Sequence, residues 1–333
     1  MKISIIIPTF NQARYLKQSV YSAFTQSKLP FEIIVSNDCS SDETREILEQ
    51  LMIEIPILKV IHQSINLGMC GNSDFCLRQA VGDFIVKLDS DDFLEIDYCD
   101  TLSTLLNQNP EAGYAHANVH EVNHNGKWKR DRLLSRIESY VSSDKALLAS
   151  VKGYKVSANI IMFRKSALES VNYLTGRPAD FAEDYHLSVD LANNGWGNMF
   201  SNRILSNYRI WSDVKKVRAK RKLVEIQGLE KIFNELFFPA FQKRGWNQDI
   251  LTNQLKHLAC LHANCLCRTD YNQVEKNEIE SALLILSNSP IVKIFIWLYK
   301  YEFGGILHAF IKIENISKEI IKKLIRRFNE SRF

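Results

Sequence analysis

The 333-residue chain lacks any uninterrupted apolar run of the roughly twenty residues that a membrane-spanning helix needs. Its most apolar segment, IVKIFIWLYKYEFGGILHAFIKI (291–313), is broken by Lys293, Lys300, Glu302 and Lys312, so no bilayer crossing is expected. Paired cysteine spacing is also missing. Seven cysteines, an odd number, argue against a disulfide framework and for free thiols in a reducing, cytoplasmic compartment. The cluster CLHANCLC (260–267) lacks the second half of a zinc-ligand pattern, and thiols buried on a helix are the expected reading. Neither charge sign dominates: 42 Lys and Arg stand against 38 Asp and Glu, a net +4 that does not imply a general polyanion binder, so the distribution of charge matters more than its total. No aromatic and basic recognition motif accompanies the basic run at 215–222, so no nucleic-acid partner is expected. The start, MKISIIIPTF, has too short an apolar run before Pro8 for a signal peptide and reads as a first strand. Repeats and low-complexity tracts are absent.

An apolar fraction of 46% and a charged fraction of 24% describe a globular protein with a core. Strand-like and helix-like patterns alternate through the first part. ISIII (3–7) precedes a helical pattern over about 15–25, FEIIVS (31–36) one over 42–51, and ILKVIH (57–62) one over 71–80, before DFIVKL (83–88). Such alternation indicates an α/β fold with a largely parallel sheet, whose ligands bind beyond the carboxyl ends of the strands. Those ends carry PTFN (8–11), NDCSSD (37–42) and DSDD (89–92), and their convergence predicts a site.

The sharpest signal is FIVKLDSDDFLE (84–95), an apolar run set directly against Asp89, Asp91 and Asp92. A buried strand does not tolerate clustered like charges, so the acids belong at its end. A D-x-D turn aims carboxylates at one point, which suits a hard divalent cation with open positions for a phosphate-bearing substrate. The competing reading is a solvated acidic turn capping a helix that starts near Phe93.

In order, ISIIIPTFN, FEIIVSNDCSSDET, NLGMCG, GDFIVKLDSDDFLE and MFRKSALE followed by FAEDYHLSVDLANNGW resemble family 2 glycosyltransferases of bacterial polysaccharide and glycoconjugate assembly. The resemblance covers about residues 1–211. It implies a GT-A fold, a Rossmann-like mixed sheet with helices on both faces, in a domain over 1–212 that binds nucleotide-sugar and carries catalysis. It further implies inverting transfer of one sugar from a nucleotide-sugar, a UDP-sugar favoured, to a hydroxyl of a glycan or lipid-linked acceptor with Mn2+ or Mg2+. On the matching positions, Pro8, Thr9, Phe10, Asn11, Asp38, Asp89, Ser90 and Asp91 bind the donor, with Phe10 offering a stacking face to the base. Asp89, Asp91 and Asp92 form the metal group and Asp184 is the general base. Glu183 and Trp211 fall on the acceptor or phosphate side. Read as residues alone, Glu183 and Asp184 equally suit the positive end of the helix that follows, and only the resemblance selects Asp184.

Departures from the family pattern are Asn37 and Cys39 at the second strand end, Trp211 where a histidine is frequent, and Asn72, Ser73 and Asp74 where an arginine is common. The last removes an expected cation. No Q-x-x-R-W motif occurs, which favours non-processive transfer. Two rivals remain distinguishable: a D-x-D phosphotransferase, which would form a covalent phosphoenzyme, and a non-catalytic sugar-nucleotide-binding protein, which would bind donor without releasing nucleotide diphosphate.

From about residue 212 the alternation stops, and a helical, basic region over 213–333 is expected to serve acceptor, membrane-surface or oligomer contacts. Lys215, Lys216, Arg218, Lys220, Arg221 and Lys222 form either a solvated helix face or a phosphate contact. In the tail, Ile316, Ile320, Leu324 and Phe328 recur four apart among lysines and arginines. That amphipathic pattern suits either packing on its own domain or a peripheral contact of 290–333 with an anionic membrane face.

Overall fold

The structure is a computed structural model that describes residues 1–136, 139–177, 182–210, 221–301 and 303. The basic run 215–220 and the tail from 304 onward lie outside the described residues. The chain divides into two compact units, Met1–Lys216 with Lys231–Trp246, and Val217–Glu230 with Asn247–Phe333.

The first unit is built on a mixed sheet. Strands β1 (Ile3–Thr9), β2 (Glu32–Asn37), β3 (Leu58–His62) and β4 (Phe84–Lys87) run parallel in the order β3-β2-β1-β4. Beyond β4 the sheet continues through β9 (Ile161–Arg164), which is antiparallel to both β4 and β6 (Ala112–Val122). Strand β10 (Gly197–Arg209) runs parallel to β6 and pairs at its far edge with β5 (Phe93–Leu94). Two short partners flank these, β7 (Trp128–Arg132) beside β6 and β8 (Tyr140–Val141) beside β10. The sheet is therefore mixed and only its first half is all-parallel.

Helices cover both faces, which explains the continuous apolar runs of the central strands. Ile5, Ile7, Val35 and Val86 pack on one face against Leu16 and Val20 of α1 (Ala13–Phe24) and Leu48 of α2 (Thr44–Glu54). Leu102 and Leu106 of α4 (Tyr98–Gln108) complete that layer. On the other face Ile6, Ile34 and Ile85 meet Leu77 of α3 (Gly68–Gln79), Leu168 of α6 (Lys165–Ser170) and Leu187 of α7 (Glu183–Asn193). Helix α5 (Ser143–Ser150) also packs beside α7.

No helix starts at Phe93. That residue and Leu94 pair instead with Asn207 and Ser206, and the helix begins at Tyr98, because a long-range strand partner outweighs the local acidic cap. The acidic turn nevertheless ends β4 as expected.

The described residues beyond 220 are helical: α8 (Lys222–Ile232), a π-helical stretch Phe233–Phe237, α9 (Phe238–Arg244), α10 (Asp249–His262), a 3-10 turn Ala263–Cys267, α11 (Gln273–Leu286) and α12 (Pro290–Lys300). The part belonging to the first unit braces α7. Phe237 meets the Tyr185 ring at 6.4 Å, and the Arg244 guanidinium donates to Asn193 Oδ1 at 2.8 Å, holding both ends of that helix. In the second unit Val292, Ile296 and Tyr299 of α12 are buried while Ile291, Ile294, Trp297 and Tyr301 are exposed. Among the described residues, no helix is long and apolar enough to cross a membrane.

Candidate active site

Strands β1, β2 and β4 end side by side. Thr9 lies opposite Asn37 in the register, and the Leu88 N–H donates to Ile6 O at 3.0 Å, which carries the residues after β4 alongside Pro8. The three ends and the start of α7 enclose a cavity of about 510 Å3. Pro8, Thr9, Phe10, Asp38, Asp89, Ser90, Asp91 and Glu183 all line it, so most of the residues expected from sequence meet there. Trp211 lies outside the described residues.

Each is held by identifiable partners. Phe10 presents its ring, 48% exposed, at the rim. The Asp38 carboxylate is buried and its Oδ1 accepts the Leu67 N–H at 2.7 Å. Asn11 is not among the lining residues; its N–H donates to Ser40 Oγ and its Oδ1 accepts the Ser41 N–H at 2.8 Å, stapling the loop after β1 to the loop after β2. Asp42 Oδ2 accepts the Ala13 N–H and its Oδ1 the Thr44 N–H, so one carboxylate serves the first turns of α1 and α2.

Of the five non-glycine residues at positive φ among the described residues, Asn11 (51°), Cys39 (59°) and Ala182 (67°) each adjoin a lining residue, while Asn172 and Tyr173 do not. Left-handed backbone costs about 1 kcal/mol or more at such residues, and it aims the next side chain where regular structure would not.

The three aspartates after β4 are not equivalent. Asp89 Oδ1 accepts the Lys87 ammonium at 2.8 Å. Asp91 lines the cavity, and its carbonyl oxygen accepts Arg209 Nε at 2.7 Å. Asp92 is turned inward, 1% exposed, with Oδ1 accepting the Arg209 N–H at 2.7 Å. Its Oδ2 is buried without a hydrogen-bond partner among the described residues. Burial pushes the Asp92 carboxyl well above its ordinary range, and the charges of Asp91 and Asp89 push it further. Asp92 is not among the lining residues, so of the three expected metal ligands Asp89 and Asp91 line the cavity and Asp92 does not. Among the described residues no group of three or more His, Cys, Asp or Glu side chains forms a ready metal cage.

Lys87 is the group that sequence reasoning passed over. It is the last residue of β4, its side chain is 11% exposed, and it lines the cavity. Burial alone would lower its pKa, but the carboxylates of Asp89, Glu183 and Asp184 reverse this and raise it. Among the described lining residues it is the one cation, facing the carboxylates of Asp38, Asp89, Asp91 and Glu183. Its signal was in the sequence, as the one charged residue inside an otherwise apolar strand.

The two acids opening α7 also differ. Glu183 is 7% exposed and lines the cavity; burial, then the adjacent Asp184, raises its carboxyl to about 7. Asp184 is half-buried and not among the lining residues, and its Oδ1 accepts the Tyr185 N–H at 2.7 Å. Burial raises its pKa while Lys87 and a hydrogen bond from Asn159 oppose the rise. Arg209 was also missed. Besides holding Asp91 and Asp92, it donates to Gln18 Oε1 and lies 4.4 Å from the Tyr15 ring centre, tying the acidic turn to α1.

A sequence profile described as Glycosyl transferase family 2 matches residues 4–171, half of the chain. Over 116 residues the chain is 39% identical to the GalNAc(5)-diNAcBac-PP-undecaprenol beta-1,3-glucosyltransferase of Campylobacter jejuni, covering 34% of this chain and 36% of that protein. Over 97 residues it is 37% identical to the poly(ribitol-phosphate) beta-N-acetylglucosaminyltransferase TarS of Staphylococcus aureus, covering 28% of this chain and 17% of that one. The matched stretch thus spans about a third or less of these relatives. Among solved structures, S. aureus TarS 1–349 in complex with UDP-GlcNAc superposes with a TM-score of 0.58 at 16% identity, over 92% of each chain. The mannosyltransferase PcManGT from Pyrobaculum calidifontis, in complex with GDP-Man and Mn2+, gives 0.54 at 15% identity over 92% of this chain and 86% of that one. These likenesses establish the fold, the GT-A arrangement of a mixed sheet between helical layers followed by a helical region.

Proposed function

The chain belongs to glycosyl transferase family 2, and from that premise we propose that it is an inverting, metal-dependent, non-processive glycosyltransferase acting in surface polysaccharide or glycoconjugate assembly. The donor is a nucleotide-sugar, a UDP-sugar favoured, and the acceptor a glycan or lipid-linked hydroxyl. The observation that carries this reading is the single cavity in which Phe10, Asp38, the acidic turn and the start of α7 meet. The UDP-GlcNAc complex of TarS, a protein of the same fold, supports the donor class.

In this reading the nucleobase stacks on Phe10 and hydrogen-bonds to Asp38, with Pro8, Thr9, Asn11 and Ser90 shaping that end. Asp89 and Asp91 would hold Mn2+ or Mg2+, which would supply positive charge against the departing diphosphate. Two protein carboxylates suffice for such a cation when phosphate oxygens and water complete its shell. Lys87 fixes Asp89 and adds a second positive charge that spends no open coordination position. Asp184 takes the acceptor proton on the face opposite the leaving group, as inversion requires of a single base. The expected consequences are that Asp91→Ala abolishes metal-dependent UDP binding, while Asp184→Asn retains that binding and loses transfer; full turnover by Asp184→Asn would refute the base assignment.

Glu183 is a second candidate for the base. It lines the cavity and its carboxyl sits at about 7, near the optimum for accepting a proton in neutral solution.

We divide the functions at residue 212, with acceptor, membrane-surface or oligomer contacts beyond it. The exposed Ile291, Ile294, Trp297 and Tyr301 stripe on α12, flanked by Lys293 and Lys300, supports a peripheral contact with the cytoplasmic membrane face.

A further inference from the structure

We propose that Asn159 is a positioning residue for the transfer reaction, its side-chain amide orienting the Asp184 carboxylate so that a free lone pair meets the acceptor hydroxyl. This rests on the glycosyltransferase reading above, with Asp184 as base, and gives a role to a residue that reading leaves without one.

The sequence SANIIMFR (157–164) sets a polar residue directly before the apolar run that becomes β9. In the antiparallel pairing of β9 with β4, Phe84 lies opposite Arg164 and Lys87 opposite Ile161. Continued two residues further, that register sets Asn159 against Asp89, so the approach to β9 meets the acidic turn after β4. Both residues line the cavity. The backbone on either side of Asn159 is fixed. Ala158 and Ile160 are buried in the core layer of α1, α2 and α4, and Ser157 O accepts Arg132 Nη1 at 2.8 Å. Arg132 is itself held by the buried Glu121, whose Oε1 accepts its Nε at 2.6 Å. The Asn159 amide is thus left with only its own side-chain rotamers to choose among.

That amide donates a hydrogen bond to the Asp184 carboxylate. Asp184 is not among the lining residues, so Asn159 joins the wall of the cavity to the base from an element other than α7. The second constraint comes from α7 itself: the Tyr185 N–H donates to Asp184 Oδ1 at 2.7 Å, and the Tyr185 hydroxyl, donating to Ser150 O at the end of α5, fixes the first turn of the helix. The terminal torsion of an aspartate is broad, and a single donor leaves the carboxylate free to turn about it. Two donors from different elements fix its plane. An ionised carboxylate has about four lone-pair sites, so two donors leave sites open for an acceptor hydroxyl.

The surroundings of Asp184 make a further donor useful. Glu183 beside it, Asp89 after β4 and the Tyr154 hydroxyl, buried without a hydrogen-bond partner among the described residues, all face it, with Lys87 as the facing cation. Burial raises the Asp184 carboxyl and Asp89 adds to the rise, while Lys87, the Tyr185 N–H and Asn159 oppose it. A base has to be ionised to take a proton, and a hydrogen bond donated to the charged form favours that form. Lys87 is already paired with Asp89 at 2.8 Å. The amide adds its support without a charge of its own, so the attraction of Asp89 and Asp91 for a cation is left undiminished.

The test uses the full-length protein and two readouts. In chelator, selective 13C labelling of aspartate follows the Asp184 carboxyl by NMR, its signal identified by its loss in Asp184→Asn. With Mn2+, release of UDP from UDP-GlcNAc, UDP-glucose and UDP-galactose is recorded against pH, water standing in for the acceptor. In Asn159→Ala and Asn159→Asp the Asp184 titration should move to higher pH, further in the second, which sets a carboxylate against a carboxylate. The acid limb of UDP release should move with it. In Asn159→Ala release should fall about tenfold on that limb and about threefold or less on the alkaline plateau. UDP affinity, measured by calorimetry with Mn2+, should change less than about twofold in Asn159→Ala, so that the loss falls on turnover and not on donor binding. An Asp184 titration or a pH profile that neither variant moves overturns the role of Asn159, and so does a loss equal at every pH, which a merely structural residue would give. If none of the three donors releases UDP, the titration alone decides for or against Asn159. Full UDP release by Asp184→Asn overturns instead the base assignment, and absence of UDP binding in the unmodified protein overturns the glycosyltransferase reading, so the failures are separable.

Discussion

Replacing Glu183 by glutamine should stabilise the protein at alkaline pH and leave its stability in acid unchanged. Burial and the neighbouring Asp184 raise the Glu183 carboxyl from 4.5 to about 7, against the opposing attraction of Lys87. A carboxyl whose folded pKa lies above its unfolded value binds its proton more tightly when folded. Stability is therefore lost as pH rises through the window from 4.5 to about 7. At about 1.4 kcal/mol per pH unit, that window amounts to about 3 kcal/mol. The N-terminus of α7 favours an anion at its first position by only about 0.3–1 kcal/mol, so burial prevails. The glutamine variant keeps the shape and escapes the penalty. In chelator, thermal unfolding should show the variant roughly 5–10 °C more stable at about pH 8.5 and equal to the parent at about pH 4. A melting difference that does not vary with pH would refute the electrostatic account of this residue. The same variant decides between the two acids in catalysis: with Asp184 as base its turnover stays within about tenfold of the parent, whereas with Glu183 as base it falls about 100- to 10,000-fold.

Lys87→Met keeps the aliphatic stem and removes the ammonium. Breaking a buried ion pair costs about 3–5 kcal/mol, and the 33% exposure of the Asp89 side chain reduces this to about 2 kcal/mol, or roughly 4–8 °C near pH 8. The raised pKa keeps Lys87 charged throughout the neutral range, so the deficit should shrink on acidification as Glu183 takes up its own proton; a deficit that grows in acid would contradict this arrangement. For the membrane contact, deleting 290–333 should abolish flotation with phosphatidylglycerol-containing liposomes, and equal recovery of both forms would sink that proposal.

The parts of the fold visible in the sequence are those whose signal is local. Strands β1, β2 and β4 are covered by helices on both faces, and Ile5, Ile34 and Val86 therefore stand in unbroken apolar runs that any reader of the chain can find. Asp89 and Asp91 were visible for a related reason, since charge at the end of such a strand has to face solvent or a ligand, whereas Glu183, opening a helix, was marked only by the family resemblance. What escaped depends on partners far away in the chain. The stretch from Phe93 became a strand because Ser206 and Asn207 were there to receive it. Arg209 reaches Gln18 and the turn at Asn123 from opposite ends of the first unit, and no local pattern marks it as the pin of the acidic turn. Lys87 was in plain view as a flaw in an apolar strand, but its meaning required knowing that the start of α7 would lie against it.

That placement answers the departure at Asn72, Ser73 and Asp74, where the family pattern led us to expect a cation. Asn72 and Ser73 do line the cavity, and they are neutral; the positive charge comes instead from Lys87, on the neighbouring strand. The substitution is not equivalent in kind. An arginine on α3 would stand free to fork onto a phosphate, whereas Lys87 is already paired with Asp89 at 2.8 Å and enclosed by the acids of α7. Its charge therefore acts first on the protein, holding the Asp89 carboxylate and those of Glu183 and Asp184 together although they repel one another. On the reading proposed above, the diphosphate would then depend on a divalent cation held at Asp91 for direct neutralisation. Metal dependence should accordingly be strict here, with chelator removing UDP binding altogether rather than merely weakening it.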